Sequence, residues 1–307
     1  MAVPTGVRRQ SDRAEPDTGR FAAGPALAPD AAADVGTAHR EYWDDVGRRW
    51  LAERPDSVWH RCSDAIHARW LDRVAADFKG GRVLKTDLFN EAIGCGLAEW
   101  LERRGSRVLG CDLARSTAAG AAIRHASIAA VAADVRRLPF PSGKFDGVLS
   151  DSTLDHFERE SDIQAALCEL RRVLCPDGIL LLTMDNPRNP LVWLRNLRPT
   201  FWSRVGLVPY MVGATCSLGR LERLLVVAGF AVEARGAIMH SPRVILVPLC
   251  RWLERRGARA EAPPWLLRWL LRIERLGSLP SRTLTGHFVA VRARATRPVK
   301  GAGALSP

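Results

Sequence analysis

The chain of 307 residues has only two tyrosines, Tyr42 and Tyr210, and no tyrosine–lysine pair suited to relaying a hydride. Its seven cysteines, Cys62, Cys95, Cys111, Cys168, Cys175, Cys216 and Cys250, are scattered, odd in number and never in C-x-x-C spacing. That excludes a zinc ribbon and a disulfide framework, and reads as small apolar residues in a reducing cytoplasm. No run of 18 apolar residues occurs, and the N-terminus lacks a charged-then-apolar signal pattern, so neither a membrane span nor export is expected. No G-K-[ST] is present, which removes a Walker phosphate loop, and Glu99 stands where the third glycine of G-x-G-x-x-G would be. No constellation of metal ligands stands out, so no metal is expected.

What is there is unevenly charged. Residues 1–185 hold 25 Lys+Arg against 28 Asp+Glu, a net of −3, whereas residues 186–307 hold 20 against 5, a net of +15. A basic second half suits an anionic substrate, an anionic surface or nucleic acid. Nearly every one of those cations is arginine, so an arginine-rich soluble surface accounts for them equally well.

The most informative stretch is RVLKTDLFNEAIGCGLAEWLERRGSRVLGCD, from Arg82 to Asp112. An apolar run, a turn with Glu91, Gly94 and Gly96, a helical pattern from Leu97 to Arg104, a breaker at Gly105 and a second apolar run ending on Asp112 make one β-α-β unit. Glycines without Cβ let backbone N–H groups approach a ligand at the positive end of the following helix. Asp112 lies sixteen positions after Gly96, close to the spacing at which an acid binds ribose hydroxyls. The expectation is an open backbone cradle between Leu88 and Leu97. Lys85 and Asp87 share one side of a strand that should be nearly all apolar. A neutralising structural pair suits Lys85, and ligand proximity suits Asp87 and Glu91.

Residues 1–37 lack apolar periodicity and read as a disordered tail. From 38 to 80, Tyr42, Trp43, Val46, Trp50 and Leu51, then Val58, Trp59, Cys62, Ile66, Trp70, Leu71 and Val74, fall at helical spacing. These stripes read as core-facing, with Tyr42, Trp43 or Trp59 as a lid in a second reading. Further strands follow at Ile128 to Val135, Phe145 to Ser150 and Ile179 to Met184, alternating with helices, so the fold class is α/β with a doubly wound parallel sheet. Ligands in such sheets sit beyond the carboxyl ends of the strands. Those ends carry Glu91, Asp112, Asp134, Ser150 with Asp151, and Asp185 with Asn186, an acidic rim suited to a ligand with positive charge or many hydroxyls.

The glycine turn, the acids ending strands two and three, AADVRRLPFPSGKFDGVLSDSTLDHF and LRRVLCPDGILLLT together resemble the class I S-adenosylmethionine-dependent methyltransferases, most closely over residues 80–185. The resemblance implies a Rossmann-like, seven-stranded, mostly parallel sheet with helical cap insertions, its last strands at Gly229 to Ala237 and Gly286 to Ala293. It implies S-adenosylmethionine as cofactor, with Gly94 and Gly96 near its methionine part, Asp112 and Leu113 at the ribose, Asp134 and Val135 at the adenine, and Ser150 and Asp151 on the cofactor and substrate side. The KTDLFNEA wording departs from the usual first motif: Ala92 stands where an acid is expected, with Glu91 one place earlier and Asp87 further back.

The domain is expected over 81–296, with substrate caps at 185–217 and 249–281 and a second tail at 297–307. The first cap concentrates Trp193, Tyr210 and Met211 as substrate candidates. His240-Ser241-Pro242-Arg243 would add to that side, and PPWLLRWLLRIERL admits packing on the core or a peripheral contact with a membrane. His156, with Asp155 beside it, is the candidate base for a proton lost on methyl transfer, or else a structural histidine. The expected activity is methyl transfer to a small apolar or anionic acceptor, a secondary metabolite or lipid-like molecule, with no stable nucleic-acid partner. The alternatives are an RNA or protein methyltransferase and a non-catalytic module that binds the cofactor.

Overall fold

The computed structural model describes residues 32–53, 56–198, 201–202, 211–257 and 262–297. Two helices precede the sheet: α1 (Ala32–Glu53) and α2 (Ser57–Val74). Helix α1 begins inside the segment expected to be a tail, where Ala32 and Ala33 are strong helix formers.

The β-α-β unit is β1 (Gly81–Thr86), two short helices α3 (Phe89–Ile93) and α4 (Ala98–Glu102), and β2 (Ser106–Asp112). It continues through α5 (Arg115–Arg124), β3 (Ile128–Ala132), β4 (Phe145–Asp151), a 3-10 turn at Leu154–His156, α6 (Glu160–Val173) and β5 (Leu174–Asp185). Then come α7 (Pro190–Leu197), α8 (Leu218–Val227), β6 (Phe230–Ile238), α9 (Arg243–Arg255), α10 (Pro264–Ile273), α11 (Arg282–Thr285) and β7 (Phe288–Ala295).

The seven strands form one sheet in the order β3-β2-β1-β4-β5-β7-β6. The first five run parallel, and β7 is antiparallel to both of its neighbours. Side-chain alternation sends successive residues to opposite layers. Val83 and Leu181 join the core under α2, α4, α5, α9 and α10, while Leu84, Leu180 and Leu182 join the core under α6 and α8. Both faces are covered, which is why β4 and β5 read as nearly continuous apolar runs.

The crossovers diverge at β1, which pairs with β2 on one side and β4 on the other, so that Thr86 lies between Cys111 and Ser150. This is the point at which an open α/β sheet leaves a crevice at its carboxyl edge. Among the described residues no helix is long and apolar enough to cross a membrane.

Candidate active site

A cavity of about 1270 Å³, its open mouth included, lies at that crevice. The ends of β1, β2, β3 and β4 contribute Lys85, Thr86, Asp87, Cys111, Asp112, Leu113, Asp134, Val135 and Asp151 to its wall.

Asp87 follows β1 with φ +62, a left-handed conformation that aspartate tolerates better than most residues. Its N–H donates to the Cys111 carbonyl at 2.9 Å, and its Oδ1 accepts from the Phe89 N–H at 2.9 Å. Asp112 accepts from the N–H groups of Leu88 and Ala114, both at 2.8 Å. Burial pushes the Asp112 carboxyl up to about 6 against the pull of those two donors. Burial, with Asp112 nearby, raises the Asp87 carboxyl well above its ordinary range. Two carboxyls thus face one hollow at a cost that a cationic, hydroxyl-rich ligand would relieve. Burial also works against ionisation of Asp134, but Arg136 at 2.7 Å outweighs it and holds that carboxyl low.

The glycine turn is placed otherwise than expected. Glu91 is fully buried, its Oε1 accepting from Leu97 N–H at 2.8 Å and its Oε2 lying 2.9 Å from Lys85 Nζ. Lys85 also donates to the Asp87 carbonyl. Gly96 has φ +56, and a Cβ there would collide with the Glu91 carboxylate. Its missing side chain therefore makes room for a buried acid. The hollow expected between Leu88 and Leu97 is filled from within, and Glu91, Gly94 and Gly96 do not line the cavity. The wall there is formed by Asp87, Phe89 and Asn90. Ser150 is also withdrawn, because its hydroxyl accepts from Thr86 Oγ1 at 2.9 Å in the sheet interior.

Asp155 and His156, adjacent in sequence, part company. His156 lines the cavity, its ring 4.6 Å from that of Trp43. Asp155 turns inward, accepting from Ser152 Oγ at 2.7 Å and Asp185 N–H at 3.0 Å, and reaches only a small side cleft. Of the substrate candidates, Trp193 is exposed and Met211 donates its N–H to Tyr42 Oη at 2.8 Å; neither lines the cavity. Tyr210 lies outside the described residues.

Helix α1 lies across the mouth. His39 and Trp43 line the cavity, and Asp44 accepts from Ser116 N–H at 2.8 Å, tying α1 to the start of α5. The far wall comes from α2, which contributes Trp59, His60, Ser63 and His67, and from Arg243 and Phe288. His67 Nε2 is 3.0 Å from Asp151 Oδ1. Burial would push the imidazole down, but that carboxylate outweighs it and holds His67 up at about 8. His60 Nδ1 pairs with Asn90 Oδ1 at 3.0 Å, while its Nε2 has no hydrogen-bond partner. Burial lowers His60 to about 4, so the ring is neutral.

His60, Ser63 and His67, spaced three and four apart, mark a polar stripe on a buried helix. That spacing is the sequence signal for a wall of the site, masked by the apolar stripe beside it. Among the described residues no group of three His, Cys, Asp or Glu side chains is placed to hold a metal.

Residues 92–182 match the family model described as a methyltransferase domain. The protein has the class I methyltransferase fold. A 1,6-didemethyltoxoflavin-N1-methyltransferase from Burkholderia thailandensis, solved with bound 1,6-didemethyltoxoflavin and S-adenosylhomocysteine, is 18% identical and superposes with a TM-score of 0.52 over 89% of this chain and 94% of that one. An S-adenosylmethionine-dependent methyltransferase from Thermotoga maritima, described as a possible histamine N-methyltransferase, gives 15%, 0.51, 83% and 96% in the same terms. Among curated proteins, a demethylmenaquinone methyltransferase from Beutenbergia cavernae is 31% identical over 147 residues, 46% of this chain and 55% of the relative. The matched stretch thus spans little more than half of that relative.

Within the methyltransferase fold the cavity suits S-adenosylmethionine. Asp112, tethered by two backbone donors, lines it together with Asp87, Asp134 and Val135, and carboxylate acceptors of this kind suit a ligand that carries hydroxyls and positive charge.

Proposed function

We propose that the protein is an S-adenosylmethionine-dependent methyltransferase acting on a small-molecule acceptor. The observation that carries this reading is the Asp112 carboxylate, fixed by Leu88 and Ala114 and facing a cavity that Asp87 and Asp134 also line.

When bound, S-adenosylmethionine supplies an electrophilic methyl group on a positively charged sulfur. Asp87 and Asp112 set a negative potential that favours the cation, and Asp112 orients the sugar. Trp43 and His156 close the mouth against water, which strengthens every charge interaction inside. The neutral His60, its Nδ1 paired with Asn90, adds an uncharged polar group to the wall that Trp59 and Ser63 share. The cover provided by α1 favours a small acceptor over a nucleic-acid strand. A demethylmenaquinone-like acceptor is the second reading, drawn from the name of the curated relative and favoured by the aromatic wall of Trp43, Trp59 and Phe288.

Calorimetric titration with S-adenosylhomocysteine tests the cofactor assignment. Asp112→Ala should weaken binding about 100-fold or more, because hydrogen bonds to a charged group contribute about 1.5–3 kcal/mol each. Asp112→Asn, which keeps an acceptor for one of the two backbone donors, should weaken it about tenfold while the circular dichroism stays unchanged. Unaltered affinity in both variants would refute the assignment. Transfer of labelled methyl from S-adenosylmethionine to the small-molecule fraction of a cell extract, and not to its RNA or protein, is the expected activity.

A further inference from the structure

Arg243 stands at the first position of α9, after Pro242, and its side chain lines the same cavity as Asp87, Asp112 and Asp134. Its guanidinium carbon is 5.1 Å from the Trp59 ring centroid and 5.9 Å from that of Phe288. Nη1 is 3.1 Å from His287 Nε2, and burial lowers His287 to about 4, so that ring adds no charge. The guanidinium stands beside these rings and the neutral imidazole, with the Asp185 carboxylate, 3.3 Å from the same Nε2, as a charged neighbour, and it also reaches the side cleft beside His156. An arginine beside aromatic rings is suited to a planar, two-oxygen anion, since its donors form a rigid fork matching a carboxylate.

Resting on the methyltransferase reading above, we propose that Arg243 is the specificity-determining residue of the acceptor site, and that the acceptor is a planar aromatic anion. Its carboxylate or ionised hydroxyl meets the Arg243 guanidinium, and its ring lies along Trp59 and Phe288. The cavity then holds a cationic cofactor against acids at one end and an anionic acceptor against a cation at the other, which brings opposite charges together where the methyl group moves.

The test is calorimetric titration of the full chain, saturated with S-adenosylhomocysteine, with hydroxybenzoates and hydroxynaphthoates and with their uncharged carboxamides. The acids should bind about tenfold or more tightly than the amides. Arg243→Gln should abolish that preference while leaving S-adenosylhomocysteine affinity unchanged, and Arg243→Lys should restore part of it. Equal binding of acid and amide, no binding of the acids, or an undiminished preference in Arg243→Gln overturns the proposal. Failure of S-adenosylhomocysteine itself to bind would strike the underlying function instead, so the two failures are distinguishable.

A separate observation concerns the outside of the same region. Helices α9 and α10 both pack on α2, burying Leu246, Cys250, Leu266 and Leu270. Outward they show Ile245 at 66% exposure, Trp265 at 52% and Trp269 at 49%, with Arg255 and Arg268 exposed beside them. A second copy docked isologously would set this arginine-rich face against itself, in a segment whose net charge is +15. An anionic bilayer complements both its tryptophans and its charge. We infer that this face rests on an anionic membrane surface.

Sedimentation of the full chain with phosphatidylcholine vesicles, with and without phosphatidylglycerol, tests this. Binding should require phosphatidylglycerol, weaken with salt, and fall about fivefold or more in Trp265→Ser/Trp269→Ser. Absence of binding to anionic vesicles overturns the inference. So does a concentration-dependent dimer that the double variant abolishes, or binding to RNA without binding to vesicles.

Discussion

The cavity wall built from the ends of β1, β2 and β3 carries Asp87, Asp112 and Asp134, whereas the wall built from α2, the start of α9 and the start of β7 carries His67, Arg243, Trp59 and Phe288. The first is set by the sheet: each acid lies at or just beyond a strand end whose register is fixed by the ladder, and backbone donors or Arg136 hold the carboxylates. The second hangs on helices packed through apolar side chains. It can change chemistry without disturbing the ladder. With the cofactor proposed at the first wall and the acceptor at the second, variants should separate the two.

The largest effect should come from beneath the first wall. Glu91→Ala removes the carboxylate paired with the buried Lys85, leaving it the more distant charges of Asp87 and Asp151, and removing one member of a buried pair costs about 3–5 kcal/mol. Urea unfolding should show that loss, whereas Lys85→Met/Glu91→Leu should restore much of it. A loss below about 1 kcal/mol would show that the turn does not depend on the pair.

On the second wall the expected effect is smaller and depends on pH. His67 is held at about 8 in the folded protein against an ordinary 6.5. Its raised value means the stabilisation is fully present below about 6.5 and disappears as pH rises through about 8. The corresponding loss is about 2 kcal/mol. His67→Gln should flatten the stability profile between those values; an unchanged slope would place the dependence elsewhere.

The smallest effect belongs to the cover that both walls share. Trp43→Ala removes the ring packed 4.6 Å from His156, and an aromatic pair contributes about 0.5–1.5 kcal/mol beyond its burial. Unfolding should show a loss of about that size, and S-adenosylhomocysteine should bind more weakly. Equal affinity would show that α1 does not close over the ligand.

The same division governs what could be read from residues alone. Apolar strand runs interrupted by turn chemistry disclosed the doubly wound sheet, and acids at the run ends disclosed Asp112, Asp134 and Asp151. The glycine turn misled because two demands produce one pattern: Gly96 lacks a Cβ to admit the Glu91 carboxylate, where ligand approach was the expected reason. His60 and His67 were masked by the apolar stripe of α2, since a helix edge between core and cavity satisfies both patterns. Trp193 drew attention by its proline-rich setting, yet composition fixes no orientation, and the side chain is 55% exposed.

The central claim is that the ionised Asp112 carboxylate at the end of β2 holds the cofactor. Asp112, raised to about 6, is charged above that pH and protonated below it, so lowering the pH should remove the charge and weaken binding. The dissociation constant of S-adenosylmethionine, measured by calorimetry from pH 8 to pH 5, should stay level down to about 6 and then rise about tenfold per unit, and Asp112→Asn should lose that rise. A constant affinity across the range, or the same rise in Asp112→Asn, would contradict the account.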